Sequence, residues 1–463
     1  MRYISTRGQA PALNFEDCML SGLASDGGLY VPESVPVLAF ETIESFSGLS
    51  YEEVAFQVIK PFVGDTFGDD ILKGMISRAY AGFDHPARCP LVQTGINEWV
   101  LELHHGPTLA FKDVALQLLG QMFDHVLARR GDRITIVGAT SGDTGSAAME
   151  AFHGAENVDV FFLHPKDRVS EVQRRQMTTH GAGNLFAVAL EGTFDDCQSR
   201  VKDMFNDQVF RQEVGLAAAN SINWGRVLAQ VVYYVTSAIA LGAPQRVVDF
   251  CVPTGNFGDI YAGHIARRMG LPIGNLIIAT NENDILHRTM QSGVSEAHGV
   301  QPTISPSMDI QISSNFERLL FELYDQDGGA VSQIMEEQKS GSFRLSQGAW
   351  ERLREGFSSG RADRAETLAT ISTVVREGGP VLDPHTAVGV HVARQTRTDH
   401  ARPMIILGTA HAAKFPDAVE EGCGVRPELP QRMADLFDRQ EKMATLANDL
   451  AGLQAFIRQE RRK

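Results

Sequence analysis

The sequence predicts an α/β protein with two parallel-sheet α/β domains and an N-terminal module, and three observations carry that expectation. Six short apolar, β-branched runs recur at residues 134–137, 158–163, 185–190, 247–252, 276–279 and 404–407. Each is followed by a turn and a helical pattern, as in parallel α/β units. The runs are apolar on both faces, so the strands they form are expected to be covered on both sides.

Taken in chain order, residues 1–90 read as an N-terminal module. They combine a glycine-rich stretch at 21–30 with helical patterns through 51–82. Residues 91–430 form the main α/β region, with a smaller α/β subdomain at about 115–225 inserted in the larger one. Residues 227–245 carry no charge, but Gln230, Thr236, Ser237, Gly242 and Pro244 interrupt the run, so a helix buried in the core or at a subunit interface fits better than a membrane span. The segment 431–463 is expected to be helical. Met433, Leu436, Phe437, Met443, Leu446, Leu450, Leu453, Phe456 and Ile457 recur there at helical spacing, broken only at Gly452, which makes a packing stripe.

Composition narrows the function classes. A chain of 463 residues has room for two or three domains at ~150 residues each. Its formal net charge of −15 opposes binding to nucleic acid, whose phosphates call for clustered Lys and Arg. The N-terminus lacks the apolar core and cleavage site of a secretory signal. The five cysteines, Cys18, Cys89, Cys197, Cys251 and Cys423, are scattered and include no C-x-x-C pair, so neither a disulfide framework nor a zinc site is indicated, and a cytoplasmic protein is expected.

Three segments carry chemistry. In His104-His105-Gly106-Pro107-Thr108-Leu109-Ala110-Phe111-Lys112-Asp113 a single lysine lies between a Gly-Pro turn and an apolar run. An amine held against apolar surface loses hydration, its charged form is disfavoured, and it becomes a nucleophile toward an aldehyde. Taken alone, the segment also fits a capped helix start with a snorkelling lysine. After the run 134–137 comes Gly138-Ala139-Thr140-Ser141-Gly142-Asp143-Thr144-Gly145-Ser146-Ala147, a small-residue loop opening a helix. It can present amides and hydroxyls to an anion, or it can be a plain Ser/Thr-capped turn. The third segment, Pro253-Thr254-Gly255-Asn256-Phe257-Gly258-Asp259-Ile260, follows the run 247–252 and makes a second phosphate cradle at a helix start. No Gly-Lys dipeptide occurs, so a Walker A loop is excluded. Two anion cradles suit a phosphorylated cofactor together with an anionic substrate.

These segments, in this order and with Gly22-Leu23-Ala24-Ser25-Asp26-Gly27-Gly28-Leu29-Tyr30 near the start, resemble the threonine synthase family from Arg2 to about Val419. That family has the fold-type II architecture of pyridoxal phosphate (PLP) enzymes, in the tryptophan synthase β group. The resemblance implies that Lys112 carries PLP as an imine and then serves as acid and base on the substrate carbons. It implies that Gly255, Asn256, Phe257, Gly258 and Asp259 hold the cofactor phosphate. Asp143 falls among the cofactor-binding residues, where many fold-type II enzymes have asparagine beside the ring hydroxyl. Thr409, in Leu407-Gly408-Thr409-Ala410-His411, would face the pyridine nitrogen.

For substrate, the resemblance implies Ser141, Thr144, Ser221, Asn223 and Arg226. Ser221 and Arg226 have the family's five-residue spacing, and an arginine fork suits a phosphate monoester.

The implied reaction is that of a carbon–oxygen lyase acting on phosphates, the last step of threonine biosynthesis: O-phospho-L-homoserine and water give L-threonine and phosphate. A monomer or homodimer, without nucleic-acid or membrane partners, is expected. Two other readings are a serine or threonine dehydratase of the same fold type and a non-catalytic homologue that binds phosphorylated metabolites. The segment Asp383-Pro384-His385-Thr386-Ala387 is assigned a structural part. His104 and His105 are expected on opposite sides of an extended chain, with no metal role.

Overall fold

All six apolar runs form strands in the computed structural model, which describes residues 1–462. They divide between two compact units, one comprising Met1–Ile76, Phe83–His105 and Ser221–Pro427, the other Ser77–Gly82, Gly106–Asn220 and the chain from Glu428 onward.

The first unit is built on a six-stranded sheet in the order Phe357–Arg361, Ile273–Thr280, Val248–Pro253, Met404–Gly408, Glu98–Glu102 and Leu91–Gly95. Every neighbouring pair is parallel except the last, where Leu91–Gly95 runs antiparallel along the edge. That hairpin is compact because Asn97 takes φ +53 at its turn, a conformation Asn tolerates better than most residues. The helix Pro384–Thr396 covers one face through Ala387, Val388, Val390, Val392 and Ala393, which cluster with Cys251, Ile277 and Ile406 from the strands. Of residues 1–90, all but Ser77–Gly82 lie in this unit. Their helices Tyr51–Val63 and Asp69–Tyr80 realise the helical patterns, and the first of them packs on Trp224–Ala240. That latter helix is buried along most of its length because its residues are apolar on nearly every face.

The second unit holds a five-stranded, wholly parallel sheet in the order Ala444–Ala447, Leu185–Glu191, Val158–Pro165, Ile134–Ala139 and Leu216–Ala217. Its core sets Phe161 and Phe186, stacked at 4.4 Å, beside Cys197, Met204, Leu453 and Ile457. The tail departs from the expected run of helices. Ala444–Ala447 forms an edge strand on Leu185–Glu191, a short 3-10 turn covers Gln431–Met433, and only Leu450–Glu460 is α-helical. Leu446 therefore belongs to a strand, where pairing with an open sheet edge overrides its helical spacing. No helix among the described residues is long and apolar enough to cross a membrane.

Candidate active site

The lysine sits in the second unit, at the start of the helix Lys112–Arg130. Asp113 shapes the loop before it, accepting from the Thr108 N–H at 2.8 Å and the Thr108 hydroxyl at 2.6 Å. Gly106 leaves room for that carboxylate, since a Cβ there would lie 2.5 Å from Asp113 Cβ. Lys112 is 8% exposed, with Nζ 4.8 Å from the centre of the Phe111 ring and 3.3 Å from Oδ2 of Asp143. The other oxygen of Asp143 accepts from Nε2 of Gln173 at 2.9 Å. An amine so enclosed is held beside a carboxylate, unlike a lysine on a solvated helix face.

The loop carrying Asp143 is partly closed on itself. The Thr140 hydroxyl accepts from the N–H groups of Gly142 and Gly145, both at 2.9 Å. The turn is thus capped from within, and the amides left for a ligand are fewer than a fully open cradle would offer. Ser141 and Thr144, both half-buried, flank this turn.

The glycine cradle lies in the first unit, between the strand Val248–Pro253 and the helix Gly258–Arg268. Phe257 takes φ +65 there, a left-handed conformation that is an outlier for a bulky residue. Its ring is 1% exposed and packs against Phe316 at 5.2 Å and Phe357 at 5.9 Å, which holds the turn and gathers main-chain N–H groups at the helix start. Gly255 admits no side chain, because a Cβ would meet the Ser307 carbonyl oxygen at 2.7 Å. The Ser313 hydroxyl donates to the Gly255 carbonyl at 2.7 Å. Asp259 follows Gly258, and its Oδ1 accepts from the hydroxyls of Tyr233 at 2.5 Å and Tyr234 at 2.9 Å.

In the same unit, Asn223 is the N-cap of Trp224–Ala240, accepting from the Gly225 N–H at 2.9 Å and donating to the Met19 carbonyl at 2.7 Å. Both ends of its amide are engaged in capping and bracing, and it is fully buried. Arg226 lies in the first turn of that helix and is 5% exposed. Burial pulls its pKa down to about 10, which still leaves it cationic at neutral pH. Ser221 stands just before this turn, half-buried. Thr409 follows the strand Met404–Gly408, and its N–H donates to the Thr386 hydroxyl at 3.2 Å. Asp383 caps the helix Pro384–Thr396 through the N–H groups of His385 and Thr386 and bonds Nδ1 of His385 at 2.8 Å. Nε2 of His385 accepts from the Ser307 N–H at 3.2 Å, so the segment set down as structural braces the loop beneath Gly255.

The paired histidines also differ from expectation. His104 and His105 lie beyond the strand Glu98–Glu102 and stack at 5.2 Å with 25° between planes, because the chain there no longer alternates as a strand does. His105 bridges Asp84 at 2.7 Å and Glu102 at 2.8 Å. Desolvation pushes the His104 pKa down to about 4. No cluster fit for a metal ion occurs among the described residues.

An enclosed amine beside a carboxylate fits the aldehyde of a phosphorylated cofactor, and a strand-to-helix turn whose glycines are packed too closely for a Cβ fits a phosphate. The residue that sequence reasoning missed here is Gln173, which holds Asp143. Gln173 carried a signal, the Ser170-x-x-Gln173 capping box, but its contact with Asp143 depends on tertiary structure.

Three family signatures match in chain order: threonine synthase N terminus over residues 2–80, pyridoxal-phosphate dependent enzyme over 86–339, and threonine synthase, C-terminal, over 386–457. A threonine synthase of Pseudomonas aeruginosa is 55% identical over 461 residues, covering 99% of this chain and 98% of the relative. Among solved structures, PLP-bound threonine synthase from Brucella melitensis superposes with a TM-score of 0.98 at 55% identity over the whole of both chains. Threonine synthase from Escherichia coli does so at 0.84 and 31% identity, again over the whole of both. The chain belongs to the threonine synthase family of PLP-dependent enzymes.

Proposed function

We propose that the protein converts O-phospho-L-homoserine and water into L-threonine and inorganic phosphate. One observation carries the choice of substrate: the first unit holds two adjoining stretches suited to anions. A Cβ on Gly258 would lie 3.6 Å from the Ser221 carbonyl oxygen, so the glycine cradle and the Ser221–Arg226 stretch are neighbours. A cofactor with one phosphate occupies one of them, and the buried guanidinium of Arg226 suits a second phosphate, that of the substrate.

When bound, PLP withdraws electrons from the carbons of the attached amino acid. The chain's own residues do the rest. Gly255, Asn256, Phe257 and Gly258 hold the cofactor phosphate through main-chain N–H groups, and Thr409 meets the ring nitrogen with a neutral hydroxyl. Asp143, fixed by Gln173, orients Lys112. Lys112 would hold the cofactor through its amine and, once that amine is free, would take protons from Cα and Cβ of the substrate and return protons to Cγ and Cα. Ser221 and Arg226 would hold the substrate phosphate so that it departs from Cγ only after the Cα and Cβ protons have been taken, Ser141 and Thr144 would meet the substrate's anionic groups, and water would then add at Cβ. The five free thiols accord with work in the cytoplasm, and a monomer or homodimer is the assembly we infer.

The test supplies O-phospho-L-homoserine and measures phosphate and threonine against ammonia and ketobutyrate. Phosphate and threonine in equal amounts are expected. Ammonia with ketobutyrate as main products would replace this reading with a dehydratase.

A further inference from the structure

Asn315 is fully buried and joins two loops that no strand pairing connects. Its Nδ2 donates to the Ser221 carbonyl at 3.2 Å and to the Asn256 carbonyl at 3.1 Å, and its main-chain N–H donates to Asn256 as well, at 3.0 Å. Gly258 opens the space for it, since a Cβ there would lie 3.1 Å from that same Nδ2. The amide's other end is fixed by Arg318, itself fully buried, whose Nη1 donates to Asn315 Oδ1. The rest of the guanidinium donates to the Tyr30 carbonyl at 3.0 Å and the Ile222 carbonyl at 2.5 Å, and lies 5.8 Å from the Trp224 ring. Because an arginine can only donate, Oδ1 must face it and both amide hydrogens must face the two loops. One side chain therefore satisfies buried carbonyls on the cofactor-phosphate loop and on the stretch leading to Arg226.

We propose that Asn315, oriented by Arg318, is a positioning residue that fixes the spacing between the cofactor-phosphate loop and the substrate-phosphate loop. The inference rests on the reading of Ser221 and Arg226 as the substrate's phosphate site. Moving either carbonyl shifts the other through the shared amide, so losing the amide's donors disturbs both phosphates together, whereas losing Arg226 disturbs one.

Asn315→Asp tests this at nearly constant volume. It keeps an oxygen for Arg318, removes both donations and sets an acceptor against two carbonyls. PLP dissociation from reconstituted apoprotein, the phosphorus-31 resonance of bound PLP, and KM for O-phospho-L-homoserine are measured. Both Kd and KM are expected to rise about tenfold or more, the cost of about one buried hydrogen bond, and the resonance to move. Arg226→Ala should raise KM and leave PLP affinity in place. Arg318→Lys, which keeps the charge without the fork, should move both constants in the same direction by less, and it decides the matter should Asn315→Asp fail to fold. A variant with lowered thermal stability but unchanged Kd, KM and resonance would overturn the proposal. Parent enzyme releasing no phosphate from the substrate would instead sink the functional reading, with the cofactor measurements still deciding whether the amide holds the loop.

Discussion

The Gln173 amide bonds Asp143 through Nε2 at 2.9 Å, and its position explains why glycine precedes Asp143. A Cβ on Gly142 would lie 2.3 to 2.7 Å from the atoms of that amide, and Gly142 takes φ +136. Gly142→Ala should thus strain the backbone and push Gln173 off Asp143. A stability loss of about 1 to 3 kcal/mol and a fall in kcat are expected from thermal unfolding and steady-state rates. A variant matching the parent in both would show that the loop is slacker than its geometry implies.

Lys112→Ala should abolish turnover, by roughly a thousandfold or more for a group that moves protons in the reaction, while circular dichroism stays that of the parent. Reduction with borohydride followed by mass spectrometry should place the pyridoxyl adduct on Lys112 in the parent and nowhere in the variant. An adduct on another lysine would refute the assignment.

Arg226→Ala should act mainly on binding. Losing a charge-assisted bond costs about 1.5 to 3 kcal/mol, so KM for O-phospho-L-homoserine should rise by about ten- to a hundredfold with a smaller change in kcat. Unchanged KM would remove the phosphate clamp.

Acid should destabilise the fold through His104. Folded, it titrates near pH 4; in the unfolded chain it titrates near ~6.5. Between those values the unfolded state takes up a proton the folded state refuses, so stability is complete above the unfolded value and declines as pH falls toward the folded one. The loss amounts to about 3 kcal/mol at most, at ~1.4 kcal/mol per unit. His104→Asn should flatten this part of the curve of denaturant midpoint against pH, and an unchanged slope would contradict the assignment.

Chemistry was more legible in the sequence than the parts that steady it. The six apolar runs announced six strands because burial on both faces leaves an unbroken apolar record. The enclosure of Lys112 and the turn at Gly255–Gly258 were legible because apolar neighbours predict a buried amine and paired glycines mark a tight strand-to-helix turn. Asn315 left no such trace. An asparagine before an apolar helix reads as a cap, and its contact with Ser221 lies 94 positions away in sequence. Asn223 shows the same limit, since its amide reaches both Gly225 in the helix it begins and Met19 far away in sequence. In the tail, hydrophobic period alone could not tell Leu446 in an edge strand from its helical neighbours.

The sheet seams have a consequence for synthesis. Glu98–Glu102 pairs with Met404–Gly408, and Leu185–Glu191 with Ala444–Ala447, so each sheet acquires a strand hundreds of residues after its partner has left the ribosome. Until then, one flank of Leu185–Glu191 and of Glu98–Glu102 stands open to any passing chain. Closing such distant pairings is slow, and a nascent chain in this condition needs shielding, by chaperones or by speed, until its last strands emerge.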